Sequence, residues 1–144
     1  MQITRQADYA VRAVLYLAQL GPNARAATAQ IAREQLIPTT FLAKIVSQLA
    51  ASGVVRATRG ARGGVSLARA PEEISLLEIV EAIDGPIMLN DCVTEPQQCP
   101  MSDNCAVRSV WCDAQAKLVT HLAQTHFGQL VRTNGSKMVV NLIG

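Results

Sequence analysis

The chain has 144 residues, of which 49% are hydrophobic and 17% are charged; this supports one folded domain and excludes a mainly disordered chain. Only five residues are aromatic, too few for a protein that stacks single-stranded bases on exposed rings. No apolar run is long enough to cross a bilayer, and the first residues do not resemble a signal peptide. We therefore expect a cytoplasmic protein without a membrane partner.

The charges are divided unevenly along the chain. Residues 1–70 carry nine basic and two acidic residues, a net charge of +7, whereas residues 71–144 carry four basic and nine acidic residues, a net charge of −5. No acidic residue lies between Glu34 and Glu72. This distribution predicts that the N-terminal half faces a polyanion.

Two helices are predicted at the start of the basic half. Apolar residues recur at three- and four-residue spacing from Thr4 to about Leu20, where Gly21-Pro22 ends the helix. A second, short helix is predicted with Thr28 as its cap. It breaks at Leu36-Ile37-Pro38, because the residue before a proline avoids helical backbone angles.

A third helix is predicted from its cap at Thr39 to Ser52, with Gly53 in the left-handed position that follows a helix. Two short helices joined by a tight turn, the second with a small, polar and basic outer face, are typical of a helix-turn-helix. That outer face consists of Thr39, Thr40, Ala43, Lys44 and Ser47.

A β-hairpin is predicted directly after the third helix. Its strands are residues 54–58 and 65–69, around a tip in which glycines permit the turn and Arg59 and Arg62 project. The tip lacks the GxxxxGK[ST] spacing of a nucleotide-binding loop. Helix-turn-helix and arginine-tipped hairpin together predict a winged helix that binds double-stranded DNA, with the third helix in the major groove.

Two kinds of DNA contact are expected from this surface. Short hydroxyl side chains can approach base edges or donate to phosphates, and Thr39, Thr40 and Ser47 are the candidates. Basic side chains neutralise phosphates and make binding salt-dependent. The candidates for these phosphate contacts are Lys44, Arg56, Arg59, Arg62 and Arg69.

The acidic half is predicted to begin with a fourth helix, capped by Ser75 and Glu78 and ending at Asp84. A last helix is predicted from Ser102 or Asp103 to about Leu130. Its apolar stripe indicates packing against a second copy, and such a homodimer would match a palindromic operator. The stripe consists of Val107, Val110, Trp111, Ala114, Leu118, Leu122 and Ala123.

The predicted fold is therefore mainly α with a small β-hairpin wing. It comprises a winged helix-turn-helix domain (residues 1–84), an irregular cysteine-bearing loop (85–104), a long C-terminal dimerisation helix (105–130) and a tail (131–144) to which we assign no function.

Four cysteines lie within 21 residues, at positions 92, 99, 105 and 112. They contain no CxxC pair, which disfavours structural zinc, whereas widely spaced thiolates suit an iron–sulfur cluster. Cys92 and Cys99 lie on the loop, and Cys105 is expected in the first turn of the last helix, where the helix dipole favours a thiolate. Cys112 follows about 10 Å further along that helix and is expected to be a buried apolar thiol.

Three thiolates leave one coordination position open, and the candidates are Asp8, His121, His126 or an exogenous ligand. The two histidines lie too far along the last helix to reach Cys105 within one chain. By its pattern alone, Asp8 favours the role of a charge at the start of a helix or a salt bridge with Arg5 or Arg12. A cysteine-dependent enzyme is disfavoured because Cys112 and His121 lie about 13 Å apart on a continuous helix.

The chain resembles the Rrf2 family of winged-helix repressors and activators over about residues 1–130. This family includes an iron–sulfur-biogenesis regulator, a nitric-oxide-sensing repressor and a rhizobial iron regulator. The resemblance rests on the cysteine trio and on the segments TRQADYA (4–10), FLAKI (41–45), RGARGGVSLA (59–68) and IVEAIDG (79–85).

The resemblance implies a homodimer in which Cys92, Cys99 and Cys105 hold a 2Fe–2S or 4Fe–4S cluster near the DNA-binding domain of the other subunit. In the nitric-oxide-sensing branch an aspartate on the first helix of the partner chain completes the coordination, and Asp8 stands at that place. The biogenesis branch uses a histidine three residues after the third cysteine, where this chain has Arg108. The first cysteine gap is one residue longer than in several relatives, and the fourth cysteine is extra.

We therefore expect a dimeric DNA-binding transcriptional regulator, not an enzyme, that senses redox state, nitric oxide or iron through the cluster. The alternative is a regulator of the same fold without a cluster, either stapled by zinc or sensing through its thiols.

Overall fold

The computed structural model describes residues 2–133. None of the helices in this range is long and apolar enough to span a membrane. Short 3-10 turns lie at Pro71–Glu73, Pro96–Gln98 and Ser102–Asn104. The helices and strands are α1 (Arg5–Gln19), α2 (Thr28–Gln35), α3 (Thr39–Ala51), β1 (Val55–Thr58), β2 (Gly64–Leu67), α4 (Leu76–Asp84), α5 (Asp91–Thr94), α6 (Arg108–Gln124) and α7 (Phe127–Thr133).

Helix α1 lies at the centre and packs against α2, α3, α4 and α7. Its first turn is capped by Thr4, whose hydroxyl accepts a hydrogen bond from the Ala7 N–H at 3.1 Å. The Thr4 hydroxyl and N–H in turn donate to the carboxylate of Asp84 at the end of α4. The start of the first predicted helix is thereby tied to the end of the fourth.

The predicted helix-turn-helix is confirmed, but its two helix caps are wrong. Neither Thr28 nor Thr39 caps its helix; each is the first helical residue. The first error arises because Ala26 pairs with Val65 of β2, with N–H···O distances of 3.0 and 2.8 Å, which keeps the backbone extended up to Ala27. The second error, at Thr39, arises because Pro38, whose ψ of 134° is extended, occupies the cap position directly before the helix.

The wing is an antiparallel hairpin in which Val55 pairs with Leu67 and Thr58 with Gly64. Each strand is slightly shorter than predicted. Two glycines at the tip are required by close backbone approaches. A Cβ at Gly63 would lie 2.1 Å from the Thr58 carbonyl oxygen, and one at Gly64, where φ is +141°, would lie 2.9 Å from that of Ala26.

Helix α4 ends at Asp84 as predicted, and only half of its predicted capping box forms. The Ser75 hydroxyl accepts from the Glu78 N–H at 3.1 Å. The Glu78 carboxylate does not return to the cap, because it forms an ion pair with Arg69.

The prediction of one continuous helix from Ser102 or Asp103 to about Leu130 is wrong. Helix α6 begins only at Arg108 and ends at Gln124. The chain then runs extended beside the segment that precedes α4, with the Phe127 N–H donating to the Ile74 carbonyl at 3.0 Å. This pairing interrupts the helix and turns α7 back onto α1, so a second copy is not needed to cover this part of the chain.

Phe127 anchors this return, because its side chain has no exposed surface. The segment between α4 and α6, predicted to be irregular, contains α5 and two 3-10 turns. Of the tail predicted at 131–144, residues 134–144 lie outside the described residues.

Replacing Phe127 by alanine should lower the free energy of unfolding by about 3–5 kcal/mol, because the ring leaves a cavity in the core. Urea unfolding followed by circular dichroism measures this loss. Leu36→Ala is the control: this side chain is 81% exposed, and its loss should cost about 0.5 kcal/mol or less. Equal losses for the two variants would contradict the packing of α7 on α1.

Candidate nucleic-acid interface and cysteine segment

The outer face of α3 carries the four residues that were predicted for DNA contact. The inner face buries Leu42, Ile45 and Leu49 against the core, which fixes the rotation of the helix. All four outer side chains are exposed, and none forms a hydrogen bond or ion pair within residues 2–133. These four side chains are therefore free to contact an external partner. They belong to Thr39, Thr40, Lys44 and Ser47.

The wing adds three exposed arginines to the same half of the molecule. Arg56 lies on β1, and Arg59 and Arg62 lie at the tip. None of the three guanidinium groups has an ion-pair partner in the part of the chain that the structure describes. Unpaired guanidinium groups beside α3 create a positive surface suited to phosphate groups.

Arg69 was predicted to contact phosphate, but the structure places it elsewhere. Its guanidinium forms an ion pair with Glu78 and donates to the carbonyl of Glu73 at 3.2 Å. Arg69 therefore joins the base of the wing to α4. Arg25, which sequence reasoning missed, supports the wing tip by donating to the Arg62 carbonyl at 2.8 Å. The sequence carries no signal for this role, because the pairing of the neighbouring Ala26 with Val65 of the wing is visible only in the structure.

The three cysteines predicted as ligands lie on successive short turns between α4 and α6, which we call the cysteine segment (residues 85–107). Cys92 lies on α5 and is 9% exposed, whereas Cys99 and Cys105 follow the next two turns and are half-buried. All of these thiols are free. Most backbone hydrogen bonds here are local, such as the one from Cys99 N–H to the Pro96 carbonyl at 3.2 Å.

Cys105 was expected in the first turn of the last helix, and this expectation is wrong. Its backbone is extended, with φ −88° and ψ 112°, and α6 begins at Arg108. The helix dipole therefore does not act on its thiol as proposed. Because α6 begins after Cys105, the expected two turns of rigid helix do not separate Cys105 from Cys112. Cys112 was also expected to be buried, but it is half-buried on α6.

Two side chains of α6 hold the cysteine segment by its backbone. Arg108 Nε donates to the Cys92 carbonyl at 2.9 Å. The Leu89 N–H donates to Gln115 Oε1 at 3.0 Å. Both contacts join residues far apart in the sequence, so α6 determines where the first cysteine lies.

The donor set fits an iron–sulfur cluster by its chemistry, since such clusters are held by cysteine thiolates. Between Cys99 and Cys105 the hydroxyl of Ser102 is buried without a hydrogen-bond partner among the described residues. A buried hydroxyl without a partner costs about 1–3 kcal/mol, and a sulfide or thiolate acceptor would satisfy it. Across residues 2–133, no three His, Cys, Asp or Glu side chains converge as ligands of a metal ion. The three turns must therefore draw together to hold the cluster.

Asp8 forms the intrachain ion pair that its sequence pattern favoured. Its carboxylate lies 3.0 Å from Arg12 Nη2 and is 59% exposed. Arg12 is held in place because it also donates to the Gln35 carbonyl at 2.9 Å and lies over the Tyr9 ring. The Asp8 carboxylate thus remains accessible to a second molecule.

Both histidines lie away from these turns along the sequence: His121 is exposed on α6, and His126 lies between α6 and α7.

The first half of α6, with Val107 immediately before it, exposes a group of large apolar side chains. Val107 is 49% exposed, Val110 59% and Trp111 41%. They are spaced three and four residues apart and so share one side of the helix. Exposed apolar side chains gathered on one helix face indicate a surface that another protein surface covers.

Comparison with known proteins agrees with this architecture. A family model described as Rrf2, iron-dependent transcriptional regulator, matches residues 3–133. The HTH-type transcriptional regulator NsrR of Shouchella clausii is 30% identical over 132 residues, which cover 91% of this chain and 89% of that protein.

Two solved structures show the same fold. CymR (YrzC), the global cysteine regulator of B. subtilis, has a TM-score of 0.77 at 22% identity and covers 92% of this chain and 97% of its own. IscR of T. potens has a TM-score of 0.75 at 22% identity, covering 93% and 88%. The winged helix, the family match and the related regulator establish that the chain belongs to the Rrf2 family of DNA-binding transcriptional regulators and is not an enzyme.

Proposed function

We propose that this regulator acts as a homodimer in the cytoplasm and that an iron–sulfur cluster of the 2Fe–2S or 4Fe–4S type controls its affinity for a palindromic operator. The ligands would be Cys92, Cys99 and Cys105. The observation that carries this proposal is the position of three free thiols on consecutive turns, directly between the winged helix and α6. The signal would be redox state, nitric oxide or iron.

The proposed DNA contact uses the exposed surface of α3 and the wing. Helix α3 would enter the major groove, where the short side chains of Thr39, Thr40 and Ser47 allow close approach to base edges. Lys44 and Arg56 would neutralise phosphates, and Arg59 and Arg62 would contact phosphates or enter the minor groove. This assignment is supported by the lack of any internal partner for these side chains within residues 2–133.

The proposed dimer buries the exposed apolar side of α6. Two copies related by a two-fold axis would pair Val107, Val110 and Trp111 with the same residues of the partner. Such an axis would place two winged helices symmetrically, as a palindrome requires.

The chain's own contacts link the cysteine segment to both surfaces. Arg108 and Gln115 join the segment to α6. Asp84, the residue before the segment, accepts a hydrogen bond from the N–H of Thr4, the cap of α1, and α1 packs directly against α3. When bound, the cluster supplies a centre that reacts with oxidants and nitric oxide and that falls apart when iron is scarce. While the cluster is bound, the three cysteines would hold the turns together. Loss of the cluster would release the turns and change the angle between the two winged helices.

The fourth ligand is proposed to be Asp8 of the partner subunit. Its exposure supports this role, because exchange of the Arg12 ion pair for a metal bond needs no unfolding of α1. An exposed ion pair of this kind contributes only about 0.2–1 kcal/mol, which metal ligation outweighs.

The DNA contact is tested by Arg62→Ala. The variant should bind a duplex selected from random-sequence DNA more weakly, and the slope of log Kd against log salt concentration should fall by about one unit. Fluorescence anisotropy at several salt concentrations measures both quantities. Lys117→Ala is the control, since this lysine lies on α6 in an ion pair with Asp113. An unchanged slope for Arg62→Ala would remove the wing tip from the interface.

The dimer is tested by Val110→Asp. A charge buried at the centre of an apolar interface should convert the dimer to a monomer, while the fold persists because this side chain is exposed within one chain. Sedimentation velocity reports the mass. Thr120→Asp, on the side of α6 opposite Trp111, should remain dimeric. If both variants sediment like the parent protein, α6 is not the interface.

The cluster is tested on protein purified without air. The parent should be brown and contain iron and acid-labile sulfide in equal amounts, and Ser substitution of Cys92, Cys99 or Cys105 should remove most of both. Cys112→Ser should retain them. Zinc without sulfide would contradict the cluster and favour the zinc-stapled regulator, and a colourless protein without any metal would favour the thiol-based one.

The same preparation tests the fourth ligand with a matched pair of variants. Asp8→Asn and Arg12→Gln both abolish the intrachain ion pair, but only Asp8→Asn removes a ligand. We expect a changed visible absorption spectrum for Asp8→Asn alone. Identical spectra for the two variants would assign Asp8 to the ion pair only.

A further inference from the structure

The proposed cluster makes no use of Cys112, yet α6 directs this residue towards the cysteine segment. Arg108, Cys112 and Gln115 are spaced four and three residues apart and therefore lie on one face of α6. On one side of Cys112, Arg108 holds the Cys92 carbonyl. On the other side, Gln115 holds the Leu89 N–H. Cys112 thus faces the stretch of backbone that ends at Cys92.

The packing of the two elements agrees with this juxtaposition. Cys112 is half-buried, whereas its neighbours Val110 and Trp111, on another side of α6, are exposed. Cys92 is the second residue of the four-residue α5, whose Cα atoms come within 8 Å of those of α6. A disulfide forms when two Cα atoms lie about 4.4–6.8 Å apart, so α5 must approach α6 until Cys92 and Cys112 reach this separation.

We propose that Cys92 and Cys112 form a redox pair that closes to an intrachain disulfide when the protein meets a peroxide. The inference does not rest on the cluster, because two thiols and an oxidant are all that it requires. If a cluster is also bound, Cys92 belongs to both sites and is available to Cys112 only after the cluster is lost.

The chemistry balances with hydrogen peroxide as the oxidant. Cys112, the more exposed thiol, attacks one peroxide oxygen as a thiolate; the O–O bond breaks, a sulfenic acid forms and one water leaves. The sulfur of Cys92 then attacks the sulfenic sulfur, the S–O bond breaks and the second water leaves. The two thiols lose two electrons and two protons, and the peroxide becomes two molecules of water.

The disulfide would change the contact between the cysteine segment and α6 from hydrogen bonds to a covalent bond. The segment could then no longer draw its three turns together, because Cys92 would be fixed to the helix. The pair would therefore keep the cluster from re-forming while oxidant persists, and a dithiol reductant would reverse this state.

The experiment uses the full chain, freed of metal by a chelator, reduced and then treated with hydrogen peroxide. Remaining thiols are alkylated, and the protein is digested with trypsin and Glu-C. Trypsin cuts after Arg108 and Lys117, so Cys112 falls in a different peptide from Cys92. Glu-C does not cut between Glu95 and Pro96, so fragmentation of the joined peptides must identify which of Cys92, Cys99 and Cys105 is bonded to Cys112. Mass spectrometry should find these two peptides joined as the main disulfide product, in a monomeric band on a non-reducing gel.

Matched variants separate proximity from general thiol reactivity. Cys99→Ser should leave the Cys92–Cys112 product unchanged, and Cys112→Ser should abolish it. Arg108→Leu, which keeps all four cysteines but removes the bond to the Cys92 carbonyl, should slow its formation several-fold. A main product that joins Cys112 to Cys99, to Cys105 or to a second chain, or no disulfide at all, would overturn the proposal.

A second arm uses the brown protein, if iron and sulfide are found. Its disulfide should form only as the visible absorption bleaches. Absence of iron and sulfide would contradict the proposed cluster but leave the metal-free arm as the test of the redox pair.

Discussion

The packing of small side chains on α1 is the constraint on which the rest of this structure depends. Ala7, Ala10 and Ala13 are buried on the face that α4, α3 and α7 approach. Side chains of this size let neighbouring helices approach closely, whereas larger ones would hold them apart. The arrangement places the recognition helix, the start of the cysteine segment and the returning C-terminal helix around a single element.

Two groups of basic side chains in this protein differ in their contacts. Lys44 on α3 and Arg56, Arg59 and Arg62 on the wing have no ion-pair partner among the described residues, whereas Arg12 and Arg69 form ion pairs with Asp8 and Glu78. An arginine that already has a carboxylate partner contributes little to phosphate binding. Arg12 and Arg69 thus make contacts within the domain, and the wing arginines face outward.

The cysteine segment is much less buried than the core. Its turns are held by local backbone hydrogen bonds and by two side chains of α6, Arg108 and Gln115, and among its residues only Ile87, Cys92 and Ser102 are buried. Regions with few buried contacts have low local stability and reorganise at small energetic cost. This low stability suits a segment whose arrangement is proposed to depend on what its thiols bind. The two proposed states, the cluster and the disulfide, both require Cys92.

Sequence periodicity alone determined α1, α3, α4 and the wing to within one or two residues, because each of these elements is specified by short-range spacing and by the glycines or prolines that follow it. It also determined which side chains of α3 face outward. The fold class and the positions of the candidate DNA contacts therefore follow from local sequence patterns.

Only the tertiary structure decided the remaining features, each of which depends on residues far apart in the chain. The last helix starts at Arg108 and not at Ser102 or Asp103, and the break before Phe127 arises from pairing with Ile74. Long-range contacts of Arg108 and Gln115 likewise hold the cysteine segment against the face of α6 that carries Cys112. The spacing of residues determines which secondary structure each segment prefers by itself. Which other segment packs on it depends on the free energy of burying the apolar surfaces of all segments together.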